Sequence, residues 1–242
     1  MTGSQSVQRN HLGQCVGPPL PGWTPRPWPP RTPMLGRLCR LEALDAERHA
    51  EALHAEYAAD SNGRNWTYLP YGPFASAAAY AQVVGTVQAG EDPVFYAIVL
   101  ADSGRPVGVA SYLRIDPANG SIEVGHLSYA PALQRSAAAT EAMYQMMRRA
   151  FDELGYRRYE WKCDSLNQPS RRAAERLGFR YEGTFRQAMV VKGRSRDSAW
   201  YSILDGEWPA LRDAFERWLD PANFDAAGHQ RARLSELRAA AF

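Results

Sequence analysis

Cysteine is scarce in this chain of 242 residues: Cys15, Cys39 and Cys163 are odd in number, far apart and without a C-x-x-C pair. Neither a disulfide framework nor a zinc site is expected from them, and no metal is expected. No apolar run approaches the roughly 20 residues needed to span a bilayer. The opening stretch MTGSQSVQRNHLGQC lacks the apolar block of a secretion signal. The 28 Lys and Arg against 26 Asp and Glu leave a formal net charge of +2, which gives no electrostatic case for a nucleic-acid partner. No G-x-G-x-x-G follows a first strand and the early strands read as antiparallel, which argues against a dinucleotide-binding fold. Internal repeats are absent too. The expectation that remains is a cytoplasmic globular protein with reduced thiols, off the membrane and long enough for one substantial core with extensions at each end.

Proline, by contrast, is concentrated. The stretch GPPLPGWTPRPWPPRTP, ending at Pro33, cannot be a helix or an inner strand and favours extended polyproline-like geometry. Residues 1–34 therefore read as an arm. It can lie across its own domain with Trp23 and Trp28 as anchors, serve a neighbouring subunit in a homodimer, or present a PxxP ligand.

Residues 35–220 read as the folded domain and 221–242 as a C-terminal extension, a peripheral helix or a partly disordered tail. A first strand is expected over 35–41, followed by an alanine-rich helix capped by Asp45 and running to about Tyr57. A loop dense in aromatic and polar groups, Asp60 to Phe74, precedes a second helix from about Ser76. Strands are expected over Val94–Leu100, Pro106–Ile115 and Ser121–Tyr129, making an antiparallel meander. Met143, Met146, Met147, Ala150, Phe151 and Leu154 then recur as one buried helical stripe, stopped by Gly155. Arg158–Cys163 alternates as a strand with Tyr159, Trp161 and Cys163 on one face. Asn167 and Pro169 open a helix that turns Ala173, Ala174 and Leu177 inward and ends at Gly178. This strand–helix–strand unit implies two adjacent parallel strands with a right-handed crossover. Two further strands, about 184–191 and 197–204 with a turn at Lys192-Gly193-Arg194, lead to a helix ending near Leu219.

The helix start after Pro131 carries a chemical signal. Ser136, Ala137, Ala138 and Ala139 are small, so unpaired N–H groups of the first turn are open to an anion such as a pyrophosphate, with the helix dipole adding partial positive charge. Ser136 is equally a natural N-cap, a purely structural role.

The run from Gln134 to Gly183, and most specifically NQPSRRAAERLGFRYEG (Asn167–Gly183), resembles the GNAT superfamily of N-acyltransferases and its RimJ/RimL-like branch, over roughly Leu35 to Trp208. The resemblance implies an α/β fold with a mixed, mostly antiparallel sheet splayed between its fourth and fifth strands and flanked by helices. It implies an acyl-CoA donor, most commonly acetyl-CoA, and a primary amine acceptor on a small molecule or a protein N-terminus. In this family Q/R-x-x-G-x-G/A holds the CoA pyrophosphate; the matching positions are Gln134, Arg135, Ser136, Ala137, Ala138 and Ala139, followed by Thr140, so Ala137 replaces the first glycine. Leu127, Ser128 and Tyr129 match the strand whose backbone pairs with pantetheine. Asn167 matches a residue that contacts pantetheine, and Ser170 one that donates to the leaving sulfur. Trp66, Tyr68 and Tyr71 are the acceptor-pocket candidates, with pinning of their loop to the core as the alternative.

Acyl transfer to an amine needs a deprotonated amine, a polarised carbonyl and a stabilised thiolate. Glu123 stands where histone-type members of the superfamily carry a catalytic glutamate, and His126 follows three residues on. Simple alternation puts the two on opposite faces unless a bulge intervenes. The position aligned with the base of some RimL-type relatives is Met189, which takes no proton; Glu182 is the other acid nearby, with a structural role as its alternative. Cys163 offers a thiol for a ping-pong route, or an inert core thiol beside Trp161. Arg171 and Arg172 are either CoA-phosphate ligands or solvated helix residues. A CoA-binding sensor or assembly module without turnover is the alternative function.

Overall fold

The computed structural model describes residues 7–239. The first five and last two residues of the expected terminal segments, with Ser6 and Ala240, lie outside that range. Strand pairs β1 (Gln8–Arg9) and β2 (Cys15–Val16) form a small exposed hairpin. The main sheet begins with β3 (Met34–Leu35) and β4 (Cys39–Ala43), so the single strand expected over 35–41 is broken by a turn. The turn is held from outside the strand: buried Glu141 accepts from the N–H groups of Arg37 at 2.9 Å, Leu38 at 2.7 Å and Cys39 at 2.8 Å. A side chain at Gly36 would run into that carboxylate.

Helices α1 (Ala46–Tyr57) and α2 (Ala77–Gln88) start at the caps expected for them, Asp45 and Ser76. β5 (Val94–Leu100), β6 (Pro106–Asp116) and β7 (Ser121–Tyr129) form the antiparallel meander. Helix α3 (Ala137–Arg148) follows, closed by a π turn at Arg149–Glu153. After it come β8 (Arg158–Asp164), α4 (Gln168–Leu177), β9 (Arg180–Val191), β10 (Arg194–Leu204), α5 (Trp208–Leu219) and α6 (Leu234–Ala239). The β9–β10 hairpin is longer than its alternation predicts, and Arg194 belongs to β10 rather than to the turn. Among the described residues, eight strands form one sheet in the order β3-β4-β5-β6-β7-β8-β10-β9. Within it only β7 and β8 run parallel, as the crossover through α3 requires.

Alternation along the strands builds a core on each face. Tyr96, Ile98, Tyr112, Ile122, Val124, Tyr159, Trp161 and Tyr201 pack with α3, α4 and α5 residues such as Met143, Leu177 and Phe215. Phe95, Ala97, Val99 and Val109 point the other way, against Leu53 and Tyr57 of α1, Tyr80 and Val84 of α2, and Trp66.

The proline arm lies along its own domain. Trp23 Nε1 donates to Ala118 O at 2.9 Å, Tyr156 to Pro27 O at 3.2 Å and Tyr96 to Pro30 O at 2.7 Å. Arg149, buried at the π turn, donates to Thr32 O at 2.6 Å and Pro33 O at 3.0 Å. Carbonyls left unpaired by proline-rich backbone are thus taken up by domain side chains. Trp23 anchors the arm as expected, whereas Trp28 is exposed beside an open cavity and is not a buried anchor.

Candidate active site

The pairing of β7 with β8 covers Ser121–Val124 opposite Arg158–Trp161 and then stops, although β7 continues to Tyr129 and β8 to Asp164. The two strands part, and the backbone of Leu127, Ser128 and Tyr129 faces the gap on that side. The carbonyl of Tyr129 is taken by Asn65 Nδ2 and Gln134 Nε2, both at 2.9 Å, and that of Ser128 by the Tyr57 hydroxyl at 3.1 Å.

Beyond the end of β7 the chain turns into α3. Arg135 is in the left-handed region at φ 57, and Ser136 caps the helix by accepting from Ala139 N at 3.0 Å while its hydroxyl donates to Leu133 O at 2.7 Å. Both readings of Ser136 therefore meet at one place: the cap is formed, and the N–H groups of Ala137 and Ala138 are left pointing off the helix end. Ala137 is the first helical residue and is not among those with positive φ, so the backbone there does not demand glycine. Thr140 is buried and accepts from Arg176 Nη1 at 3.1 Å.

On the opposite wall, Asn167 caps α4 by accepting from Ser170 N at 3.2 Å. Ser170 Oγ accepts from Trp161 Nε1 at 3.0 Å and also reaches the thiol of Cys163. Cys163 is buried, and burial pushes its pKa up against the opposing pull of Ser170, Arg196 and Arg171, which suits the inert reading of this thiol. Arg171 is tied to Tyr201 Oη at 3.0 Å and Ser165 O at 3.3 Å, and Arg172 is exposed.

A bulge decides the relation of Glu123 to His126. Val109 pairs with Ser128 and Ser111 with Gly125, so one residue of β6 faces two of β7, and His126 adopts φ 50. The extra residue returns His126 to the face of Glu123, where its ring stacks on Tyr71 and leans on Phe95. Simple alternation would separate the two; the bulge brings them onto the same side.

Their environments differ. Glu123, with its side chain 4% exposed, bonds Lys162 Nζ at 2.9 Å and Arg114 Nη1 at 2.8 Å. Burial raises its pKa while Lys162 and Arg114 restrain the rise. Arg114 is set for this by a second bulge, at φ 45, which turns its N–H and that of Ile115 onto Asp92, each at 3.1 Å. The charge chain continues through Glu160, which Lys162 meets at 2.8 Å and Arg158 at 2.6 Å, to Glu182, which Arg158 grips with both terminal nitrogens. Glu182 thus sits in structural surroundings, tied to a cation away from the gap. Among the described residues His126 makes no ion pair; burial, helped by Arg114 and opposed by Asp92, lowers its pKa to about 4.

The acceptor-pocket candidates divide. Trp66, 4% exposed, lies edge-on to Tyr57 and Phe74 and pins the loop to the core. Tyr71 meets His126, and Tyr68 donates to Leu166 O at 3.2 Å, bridging from this loop to the start of α4. Met189 is exposed on β9. Sequence reasoning missed Lys162, Arg114 and Asn65; Lys162 carried a signal, as the one cation alternating with Trp161 and Cys163 next to the parting strands. Among the described residues, no group of three or more His, Cys, Asp or Glu could hold a metal ion, and no helix is long and apolar enough to cross a membrane.

A mixed sheet that opens between two parallel strands beside a partly buried helix N-terminus is the architecture of an acetyltransferase domain. The model of the acetyltransferase (GNAT) domain family matches residues 39–180, more than half of the chain, and the chain belongs to this family. A GCN5-related N-acetyltransferase from Brucella melitensis, known from its crystal structure, is 49% identical with a TM-score of 0.89, covering 91% of this chain and 100% of that one. The uncharacterized N-acetyltransferase YnaD of Bacillus subtilis (strain 168) is 28% identical over 153 residues, 63% of this chain and 86% of that protein. YdaF of the same strain, provisionally named a ribosomal N-acetyltransferase, is 31% identical over 105 residues, 43% of this chain and 57% of that protein, in keeping with the RimJ/RimL-like resemblance.

Proposed function

We propose that the protein transfers an acetyl group from acetyl-CoA to a primary amine by direct attack. The observation that carries this reading is the parting of β7 from β8 after Val124 and Trp161, next to the capped first turn of α3. Pantetheine fits the gap along Leu127–Tyr129, and the pyrophosphate fits the N–H groups of Ala137 and Ala138 with Gln134, Arg135 and Ser136 around them. Asn167 contributes its side-chain amide from the α4 wall.

The amine enters from the Tyr68 and Tyr71 side. Its nitrogen forms a C–N bond with the thioester carbon, the C–S bond breaks, and the sulfur leaves as thiolate. His126 takes the proton released from nitrogen, since it is neutral and faces the cleft, while Glu123, held between two cations, sets the local charge and orients Lys162. Ser170 donates a hydrogen bond to the leaving thiolate, which takes its proton from solvent. Most of the acceleration comes from holding amine and thioester together.

A CoA-binding module without turnover draws support from Ala137 and from the ion-paired state of Glu123. Calorimetric titration with acetyl-CoA and free CoA, followed by an amine screen with thiol-release detection, separates the two. Turnover that falls in Ser170→Ala with acetyl-CoA binding intact supports the transferase. Binding of both forms with no thiol release for any amine leaves the module, and absence of CoA binding removes both.

A further inference from the structure

The tip of the β9–β10 hairpin reaches back to the loop that carries Tyr71. Lys192 Nζ donates to Trp66 O at 2.7 Å and to Gly72 O at 2.9 Å. The backbone that carries these carbonyls is also held by ring packing. Gly72, at φ 70, packs its backbone against the Trp66 indole so closely that a Cβ would overlap the ring, and the indole is itself fixed by Tyr57 and Phe74. Tyr71, one residue from Gly72, stacks on His126. Two carbonyl oxygens shaped for an alkylammonium therefore stand beside the residue that faces the acceptor cleft.

The occupant is held at a cost. Lys192 and Gly193 have φ 48 and 72, both in the left-handed region, as the two central residues of a tight hairpin turn. Asn-Gly is the pair that suits such a turn, and lysine at its first position adopts a backbone it disfavours. Lys192 is an exposed residue whose ammonium meets Gly72 O at the surface and Trp66 O in part-buried surroundings, so another cation can compete for the pair.

We propose that the Trp66 and Gly72 carbonyls form a second ammonium subsite of the acceptor cleft, which Lys192 fills in the free protein and gives up to an acceptor bearing two amines. The class is a linear aliphatic diamine or polyamine, one nitrogen at the carbonyl pair and the other toward His126. This rests on the acetyltransferase reading and narrows its acceptor.

The test uses the full chain with Lys192→Asn, which removes the ammonium while relieving the turn, and Lys192→Met, which keeps the length of the side chain. Each is titrated calorimetrically with 1,5-diaminopentane, with pentylamine as the one-amine control and with acetyl-CoA. The expected result is about tenfold tighter binding of the diamine by both variants than by the wild type, with pentylamine and acetyl-CoA unchanged. Equal changes for the two amines, or no gain for the diamine while acetyl-CoA still binds, overturn the subsite. Failure of acetyl-CoA to bind any form of the protein instead overturns the acetyltransferase reading.

Discussion

The imidazole of His126 lies parallel to the ring of Tyr71, with centroids 5.7 Å apart and planes 10° apart, and its Nδ1 is 3.3 Å from the Tyr71 hydroxyl. Burial of the imidazole, helped by the Arg114 charge and opposed by Asp92, favours the neutral ring: its pKa falls to about 4 from an ordinary 6.5. Between those values the unfolded chain binds a proton that the folded one does not. The stability contributed by the neutral ring is thus complete above pH 6.5 and is lost as pH falls toward 4. In His126→Gln, the drop in urea midpoint from pH 7 to pH 5 is expected to be smaller than in the wild type. Equal drops would show that His126 titrates normally. The same variant is expected to lose about 10²-fold in kcat, the lower end of the range for a positioned proton acceptor.

Glu123 gives a prediction of the opposite kind. Its carboxylate is shared by Lys162 and Arg114, and Lys162 has its side chain only 8% exposed over the Trp200 ring. Glu123→Gln leaves a buried ammonium with Glu160 as its remaining carboxylate partner, which is expected to cost about 1–3 kcal/mol. Chemical denaturation measures it. A variant as stable as the wild type, with turnover abolished, would make Glu123 the proton acceptor and His126 the supporting residue.

Much of this arrangement was legible before the structure. Asp45, Ser76, Ser136, Asn167 and Gly178 mark helix ends through local hydrogen-bond chemistry, which acts within a few residues and so is written in the sequence. The parting of β7 and β8 followed from the GNAT resemblance, and their parallel neighbourhood from the crossover through α3. The bulge at His126 was legible only as the condition for sharing a face with Glu123, and the one at Arg114 not at all. Arg114 and His126 are ordinary strand residues by type, and their positive φ is imposed by the register of β6 against β7, a non-local property. Glu141 is similar. A glutamate in an amphipathic helix reads as solvent-facing, and only the turn at residues 36–38, about a hundred positions away in sequence, gives its carboxylate three donors. The loop from Asp60 to Phe74 was legible as aromatic, but its division into a core anchor, Trp66, and a ring stacked on His126, Tyr71, depends on how Gly72 folds over the indole.

Removing Glu141 should show how much of the first strands depends on it. In Glu141→Ala the N–H groups of Arg37, Leu38 and Cys39 lose their acceptor inside the protein. A loss of about 3–5 kcal/mol is expected, comparable with breaking a buried charged pair. Glu141→Gln keeps an acceptor oxygen and should recover part of it. Hydrogen exchange at residues 37–39, measured against the melting temperature, checks the assignment: protection lost at those amides ahead of global unfolding is the expected signature.

The alanine at the proposed pyrophosphate loop can be tested by restoring the family's residue. Ala137 opens α3 with an ordinary helical backbone, so glycine is not needed for φ; what it removes is a methyl group beside the free N–H groups of the first turn. Ala137→Gly should therefore let the phosphates approach more closely and bind acetyl-CoA several-fold more tightly. Its cost falls on the helix, about 0.5–1 kcal/mol from the greater freedom of glycine in the unfolded chain. The two effects separate experimentally, affinity by calorimetric titration and stability by urea unfolding of the unliganded protein. Tighter binding with slightly lower stability is the expected pair. Unchanged affinity with the same loss of stability would mean that the methyl does not meet the ligand and that the phosphates sit instead toward Gln134 and Arg135.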